Sequence, residues 1–302
     1  MTAAKRIFLA TACLAAACSN DFVRYPRLTK LRVLAIAADP PAPASGEITT
    51  LSALVHAPVG EPVTSYAWSW CPAPGPTSAG APCLVTEAEL AAAAGAQATT
   101  VPSFDLGSAP TAMLANAVDP RILAALCQGR PGSVDKPDCA GGFPVQVKLA
   151  VASATETLIS IYTLRLRFDP ATPPNANPLI DGLTADVDAG TQAIGDDAMV
   201  VLPRRKQTTI HALVPAQAAE TLAGDKREAL TLSWFVESGD VSDARTGLNE
   251  NTASVEDALK TKWTPGSEAD YPDDTAHLFV VVRDSRGGVT WRAGVVRLGA
   301  SP

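Results

Sequence analysis

Apolar and polar residues alternate along several stretches of the chain. Within Phe143–Ser153, Val145, Val147, Leu149 and Val151 fall on one side, and Gln146 and Lys148 on the other. Within Thr50–Ala57, Leu51, Ala53 and Val55 share a face. Successive side chains of a strand point to opposite faces, so this period of two predicts antiparallel strands with one face buried. The stretch Val280–Trp291 predicts two strands around a tight turn, with Gly287 and Gly288 free to take the positive φ such a turn demands. Two short helices interrupt the pattern. Thr86 and Glu89 have capping-box spacing ahead of a Gly95 stop. Asp119 precedes Pro120, and Gly129 ends the second run.

The pattern occurs twice. Ile48–Pro58 and Gln207–Gln217 align over Thr49-Thr50-Leu51 and Thr208-Thr209-Ile210, then over Ala53-Leu54-Val55 and Ala212-Leu213-Val214. A tryptophan strand follows each, Tyr66–Pro72 and Leu230–Ser238. Phe143–Ser153 then matches His277–Ser285, and Tyr162–Phe168 matches Trp291–Leu298. A repeat of this length is a duplicated domain, not a solenoid unit. The expectation is a mainly β chain of two tandem sandwiches, residues 28–168 and 179–302, the first with an insertion at about 72–142. The proline-rich segment 169–178 between them is expected to be a stiff spacer that projects the second sandwich outward.

Four cysteines, Cys71, Cys83, Cys127 and Cys139, lie in this body, and three pairings are open. Equal twelve-residue intervals across proline- and glycine-rich segments favour Cys71–Cys83 and Cys127–Cys139, stapling an insertion whose own core is small. No close C-x₂-C pair favours zinc instead.

The first residues decide location. Lys5 and Arg6 precede an uncharged apolar run, Ile7–Ala17, too short to span a bilayer as a helix. Ending in Ala15-Ala16-Ala17, it reads as an export signal over 1–17. Leu14-Ala15-Ala16-Ala17-Cys18 resembles the lipobox of bacterial lipoproteins, with Ala15 where Leu is usual. That resemblance implies lipidation of Cys18, a tether over 18–27, and, with Ser19 next, the outer membrane. The expected partners are therefore the membrane, through the lipid, and a protein or glycan of the envelope.

Composition narrows the function. The 302 residues are 47% apolar and 18% charged, with 25 prolines and a net charge of −7. A packed core is expected, and a nucleic-acid partner is not. Arg204-Arg205-Lys206 reads as a solvated strand edge or turn. Chemistry is sparse. His56, His211 and His277 each sit in or at the end of a strand and are expected at the surface or an edge. No G-x-S-x-G, H-E-x-x-H or phosphate loop occurs. Asp186, Asp188 and Gly190 imitate the start of a calcium loop, without its closing glutamate, and Asp270, Asp273 and Asp274 form a second acidic group. Turn chemistry accounts for both, so no metal or cofactor is expected. Trp68, Trp70, Trp234, Trp263 and Trp291 are candidates for stacking on sugars or for filling a core.

The segment Trp263–Trp291, with Val280, Val282, Asp284, Gly287 and Gly288 in a V-x-V-x-D-x-x-G-G hairpin, resembles PKD-type and related bacterial immunoglobulin-like domains. That resemblance implies a fold and no active site. The combined expectation is a membrane-anchored lipoprotein acting as a structural or protein-interaction module. A carbohydrate-binding module and an enzyme with an unrecognised site are the alternatives.

Overall fold

A computed structural model describes residues 25–75, 80–94, 102–129, 137–197, 199–222, 224, 226–248 and 259–300. The export signal, Cys18 and Gly95 lie outside the described residues. In the first half, β1 (Arg32–Asp39) pairs with β2 (Ile48–His56), and β2 pairs with β5 (Ala112–Ala115). Opposite them, β3 (Ser65–Cys71) runs between β4 (Asp105–Gly107) and β6 (Phe143–Ala152), with β7 (Thr157–Leu166) at the outer edge.

The second half contains β8 (Gly182–Val187), β9 (Gly190–Ile194), β10 (Val201–Pro203), β11 (Thr208–Leu213), β12 (Leu230–Val236), β13 (Asp240–Val241), β14 (Arg245–Leu248), β15 (Lys260–Thr264), β16 (Thr275–Asp284) and β17 (Val289–Gly299). They form sheets of order β13-β15-β11-β8-β9 and β10-β17-β16-β12-β14. Among the strand pairs of the described residues, only β10–β17 is parallel.

The halves share a topology. The run β1-β2-β5 corresponds to β8-β11-β15, and β4-β3-β6-β7 to β14-β12-β16-β17. Register matches as well. Thr49 lies opposite Leu114 and Thr208 opposite Trp263. Leu51 lies opposite Ala38 and Ile210 opposite Ala185. Duplication in the sequence is therefore duplication of strand pairing.

Each half buries the inner faces of its two sheets. Val145, Val147, Leu149 and Val151 point into the first core beside Trp68, Trp70 and Leu51. Trp234, Trp263, Leu232, Val280, Val282 and Ile210 fill the second. Fully burying one such aliphatic side chain contributes about 1.5–3 kcal/mol. Each buried indole also finds an acceptor, which removes the cost of an orphaned donor. Nε1 of Trp68 donates to the Ala109 carbonyl at 3.0 Å, that of Trp70 to Ser103 at 2.8 Å and that of Trp263 to Ser238 at 2.7 Å.

The insertion carries helices α1 (Glu87–Ala94) and α2 (Pro120–Cys127). The capping box forms: the Thr86 amide donates to Glu89, and the Glu89 amide donates to Thr86 Oγ1. Asp119 caps α2 by accepting from the Arg121 amide, and Gly129 follows its last turn at φ +79°. Disulfides join Cys71 to Cys83 and Cys127 to Cys139.

Segment 169–178 does not hold the sandwiches apart. Asn177 donates to the Ala38 carbonyl and accepts from the Val289 amide, so the segment runs along the junction of two sandwiches in contact. Proline stiffens a linker but does not stop polar side chains beside it from binding both of its neighbours.

Candidate functional site

The residues that bring the halves together come from the outer positions of strands. Of the five consecutive buried residues Leu34–Ala38 in β1, Ile36 and Ala38 enter the first core. Leu34, Ala35 and Ala37 turn the other way, onto Phe235, Phe279, Val281 and Val289 of the second sandwich.

Polar contacts close this apolar strip at both ends. At the linker end is the turn between β16 and β17. Asp284 Oδ1 accepts from the amides of Arg286 (2.8 Å) and Gly288 (2.7 Å), and Asn175 donates to Oδ2 at 3.2 Å. Gly288 has to be glycine, because a Cβ there would lie 2.0 Å from Asp284 Oδ2. Tyr162 of β7 donates to the Gly287 carbonyl at 2.8 Å, and burial pushes its phenol pKa upward. Arg283 donates to the Leu34 carbonyl at 2.9 Å. Arg286 pairs with Glu228 at 2.9 Å and also with Glu220.

At the opposite end, Glu237 sits between two histidines. His277 Nδ1 lies 2.7 Å from Glu237 Oε2, and His56 Nδ1, from the first sandwich, lies 3.5 Å from Oε1. The His277 amide and the Tyr271 hydroxyl also donate to Oε2. The Phe279 ring contacts both imidazoles. Burial lowers the His56 pKa despite the opposing attraction of Glu237, and His277 and Arg32 add smaller contributions of the same sign as burial. The hydrogen bond to Glu237 raises the His277 pKa. Burial pushes Glu237 upward, but its bonds and charge contacts to the histidines prevail and hold it below the usual carboxylate value.

Also at the linker end, Val33–Ile36 of β1, Ser160–Tyr162 of β7 and the turn residues Arg283, Asp284 and Gly287–Val289 line a cleft of about 330 Å³. Both strands are terminal in their sheets. A bulge at Leu34 shifts the register of β1, and Ile159 and Ile161 are exposed on β7. The arrangement presents apolar side chains and strand edges together.

The other candidate residues are placed elsewhere. Asp186 Oδ2 pairs with His211 Nε2 at 2.9 Å while Oδ1 accepts from Thr191, and Asp188 pairs with Lys206 at 2.9 Å. Each carboxylate thus has its own side-chain partner, and Asp186 is held below the usual carboxylate pKa chiefly by its hydrogen bond to His211. Asp270 accepts from Ser267. Among the described residues no three His, Cys, Asp or Glu side chains are grouped to hold a metal ion. Trp68, Trp70, Trp234 and Trp263 are buried and Trp291 is half-buried, so no indole pair is displayed for a sugar.

Two expectations are corrected. His56 is 5% exposed rather than a surface histidine, because the second sandwich covers the end of β2. Arg204 is buried rather than solvated. It donates to the carbonyls of Tyr271 (2.7 Å) and Asp273 (2.8 Å). Glu237 was missed altogether. It is one of many carboxylates in the sequence, and its partners lie 181 and 40 residues away.

The strand order defines a mainly β protein of two immunoglobulin-like sandwiches, the first with a disulfide-stapled insertion. No family model matches the chain, and no curated protein matches it. Among solved structures, murine CEACAM1b is similar at 11% identity and a TM-score of 0.24, over 90% of this chain and 100% of that one. The D00-D0 domain of intimin aligns at 11% identity and a TM-score of 0.20, over 87% of this chain and 99% of that one. The Yersinia pseudotuberculosis adhesin InvE aligns at 12% identity and a TM-score of 0.22, over 87% and 58% respectively. Similarities of this size add nothing to the strand order. No helix among the described residues is long and apolar enough to cross a membrane.

Proposed function

We propose that this chain is a non-catalytic protein-interaction module of the bacterial envelope, held at the outer membrane by lipid on Cys18. Its two sandwiches accept an extended segment of an envelope protein in the cleft between β1 and β7. The observation carrying the binding role is that these two long sheet edges border the same cleft. An added strand gains main-chain hydrogen bonds at such an edge and selects its side chains through neighbouring apolar pockets. Ile161 stands at the rim, 40% exposed. The anchoring role rests on the lipobox resemblance at Leu14–Cys18 and on the basic-apolar order of residues 5–17.

Both parts can be tested in cells. A photo-crosslinking side chain at position 161 should give a discrete adduct with one envelope protein. The same group at Met199, 75% exposed on the second sandwich, should not. Ile161→Lys should reduce capture of that partner at least tenfold, and equal adducts at both positions would refute the cleft as the binding site. Labelling with a fatty-acid analogue should mark the wild type and not Cys18→Ser, while label on both would refute the anchor.

A further inference from the structure

The two polar ends of the junction differ in chemistry. At the linker end the contacts use backbone groups, amides, a phenol, a carboxylate and guanidinium groups, and no histidine takes part. At the other end the side-chain contact between the sandwiches is His56 to Glu237, with His277 on the same carboxylate, and main-chain bonds tie Pro26 and Leu28, ahead of β1, to Val236. Along β16, His277 and Asp284 are seven residues apart, about 23 Å at strand rise. A change at one end can therefore leave the other intact.

We propose that the His56–Glu237–His277 contact is a proton-operated latch: mild acid frees the second sandwich from the first at this end, and it swings about the linker end, which stays fastened. The groups facing His56 set the direction. Glu237 at the end of β12 attracts a charged His56. Arg32, opposite it on β1, and His277 on β16 repel one. Tyr271, in the loop before β16, spends its hydroxyl on Glu237. Phe279 offers an apolar ring in place of water.

Because burial lowers its pKa, His56 takes up a proton less readily in the closed junction than when freed, where it titrates near the ordinary 6.5. Closure is then fully favoured above 6.5 and weakens as pH falls below it. His277 works in the opposite direction. Its raised pKa means that its contribution is complete below 6.5 and fades only as pH climbs past the raised value. Mild acid therefore leaves the His277–Glu237 bond in place and acts through His56. Stronger acid protonates Glu237, whose contribution is present above its ordinary 4.5 and lost as pH falls through its lowered value. Each unit by which closure depresses the His56 pKa raises the open-to-closed ratio up to tenfold in acid.

The test is pulsed electron–electron resonance on the full-length protein, with spin labels attached to unnatural ketone side chains so that no thiol is added. Labels at Val59 and Ala269 report the latch end, and labels at Ala140 and Ser285 the linker end; all four positions are exposed. Between about pH 7.5 and pH 5 the 59–269 distance should lengthen with a midpoint below 6.5, while the 140–285 distance stays constant. His56→Gln should abolish the change in this range. In the wild type, NMR titration of His56 should give a midpoint below 6.5, a readout that does not depend on the variant folding. An unchanged 59–269 distance, equal changes in both pairs, the same transition in His56→Gln, or His56 titrating at 6.5 or above would each overturn the latch.

Discussion

Replacing Gly288 with alanine isolates the fastening at the linker end. The new Cβ would lie 2.0 Å from Asp284 Oδ2 and 2.9 Å from the carbonyl oxygen of Ala176. The carbonyl is backbone and moves at high cost, so the carboxylate is displaced. Asp284 then loses its bonds from the Arg286 and Gly288 amides, now 2.8 and 2.7 Å. Hydrogen bonds to a charged group contribute about 1.5–3 kcal/mol each, so the loss is about 3–6 kcal/mol. For a chain of this size the melting temperature should fall by roughly 5–10 °C. Guanidinium titration followed by tryptophan emission, with calorimetry alongside, measures the change. Asp284→Ala removes the same bonds without crowding, so the double variant should cost no more than the worse single one. That non-additivity is the signature of one shared network. A cost below about 1 kcal/mol for Gly288→Ala, or single costs that simply add, would refute the reasoning.

Other outcomes follow from single features. Cys127→Ser with Cys139→Ser should lower stability by about 3 kcal/mol in the chain-entropy treatment of a twelve-residue loop, measured by the shift in denaturation midpoint. Trp263→Ala should cost about 3–5 kcal/mol, since it empties a fully buried site and orphans the Ser238 carbonyl, and the same titration reads it. Iodide should quench little of the wild-type tryptophan emission, and soluble glycans should not shift it, because four of the five indoles are buried. Arg204→Ala should destabilise by roughly 2–4 kcal/mol by removing its hydrogen bonds to the Tyr271 and Asp273 carbonyls, while Arg204→Lys recovers only part of the loss.

The fold was legible where burial follows a period of two. Val145, Val147, Leu149 and Val151 announced β6, and all four are at most 1% exposed. The duplicated Thr-Thr stretches announced β2 and β11, which take equivalent registers. The capping residues of both helices announced their starts, because a cap is a local contact. The candidate site was not legible in this way. His56, Glu237 and His277 each look ordinary at the end of a strand, and only the docking of two sandwiches unites them. Arg204 likewise gives no local sign that carbonyls near residues 271–273 surround it.

A signal for the junction was nonetheless present, in apolar runs that do not alternate. Leu34–Ala38, Trp234–Val236 and Leu278–Val282 are each continuously buried, the pattern of strands covered on both faces. In each run one set of positions enters its own core: Ile36 and Ala38, Trp234 and Val236, then Leu278, Val280 and Val282. The other set meets the opposite sandwich: Leu34, Ala35 and Ala37, Phe235, then Phe279 and Val281. The duplicated copy supplies the comparison. By register, Ala37 of β1 matches Thr184 of β8, which lies opposite His211 on a half-exposed face. In the paired tryptophan strands, Trp70-Cys71 matches Trp234-Phe235. Cys71 is covered by the disulfide-bonded insertion, and Phe235 by the first sandwich. The halves keep apolar residues where they fill their own cores and differ in polarity or covering partner where one covers the other. Their contact is therefore a built surface rather than an accident of a short linker, and polar residues at Ala37 and Phe235 should separate the sandwiches while leaving each one folded.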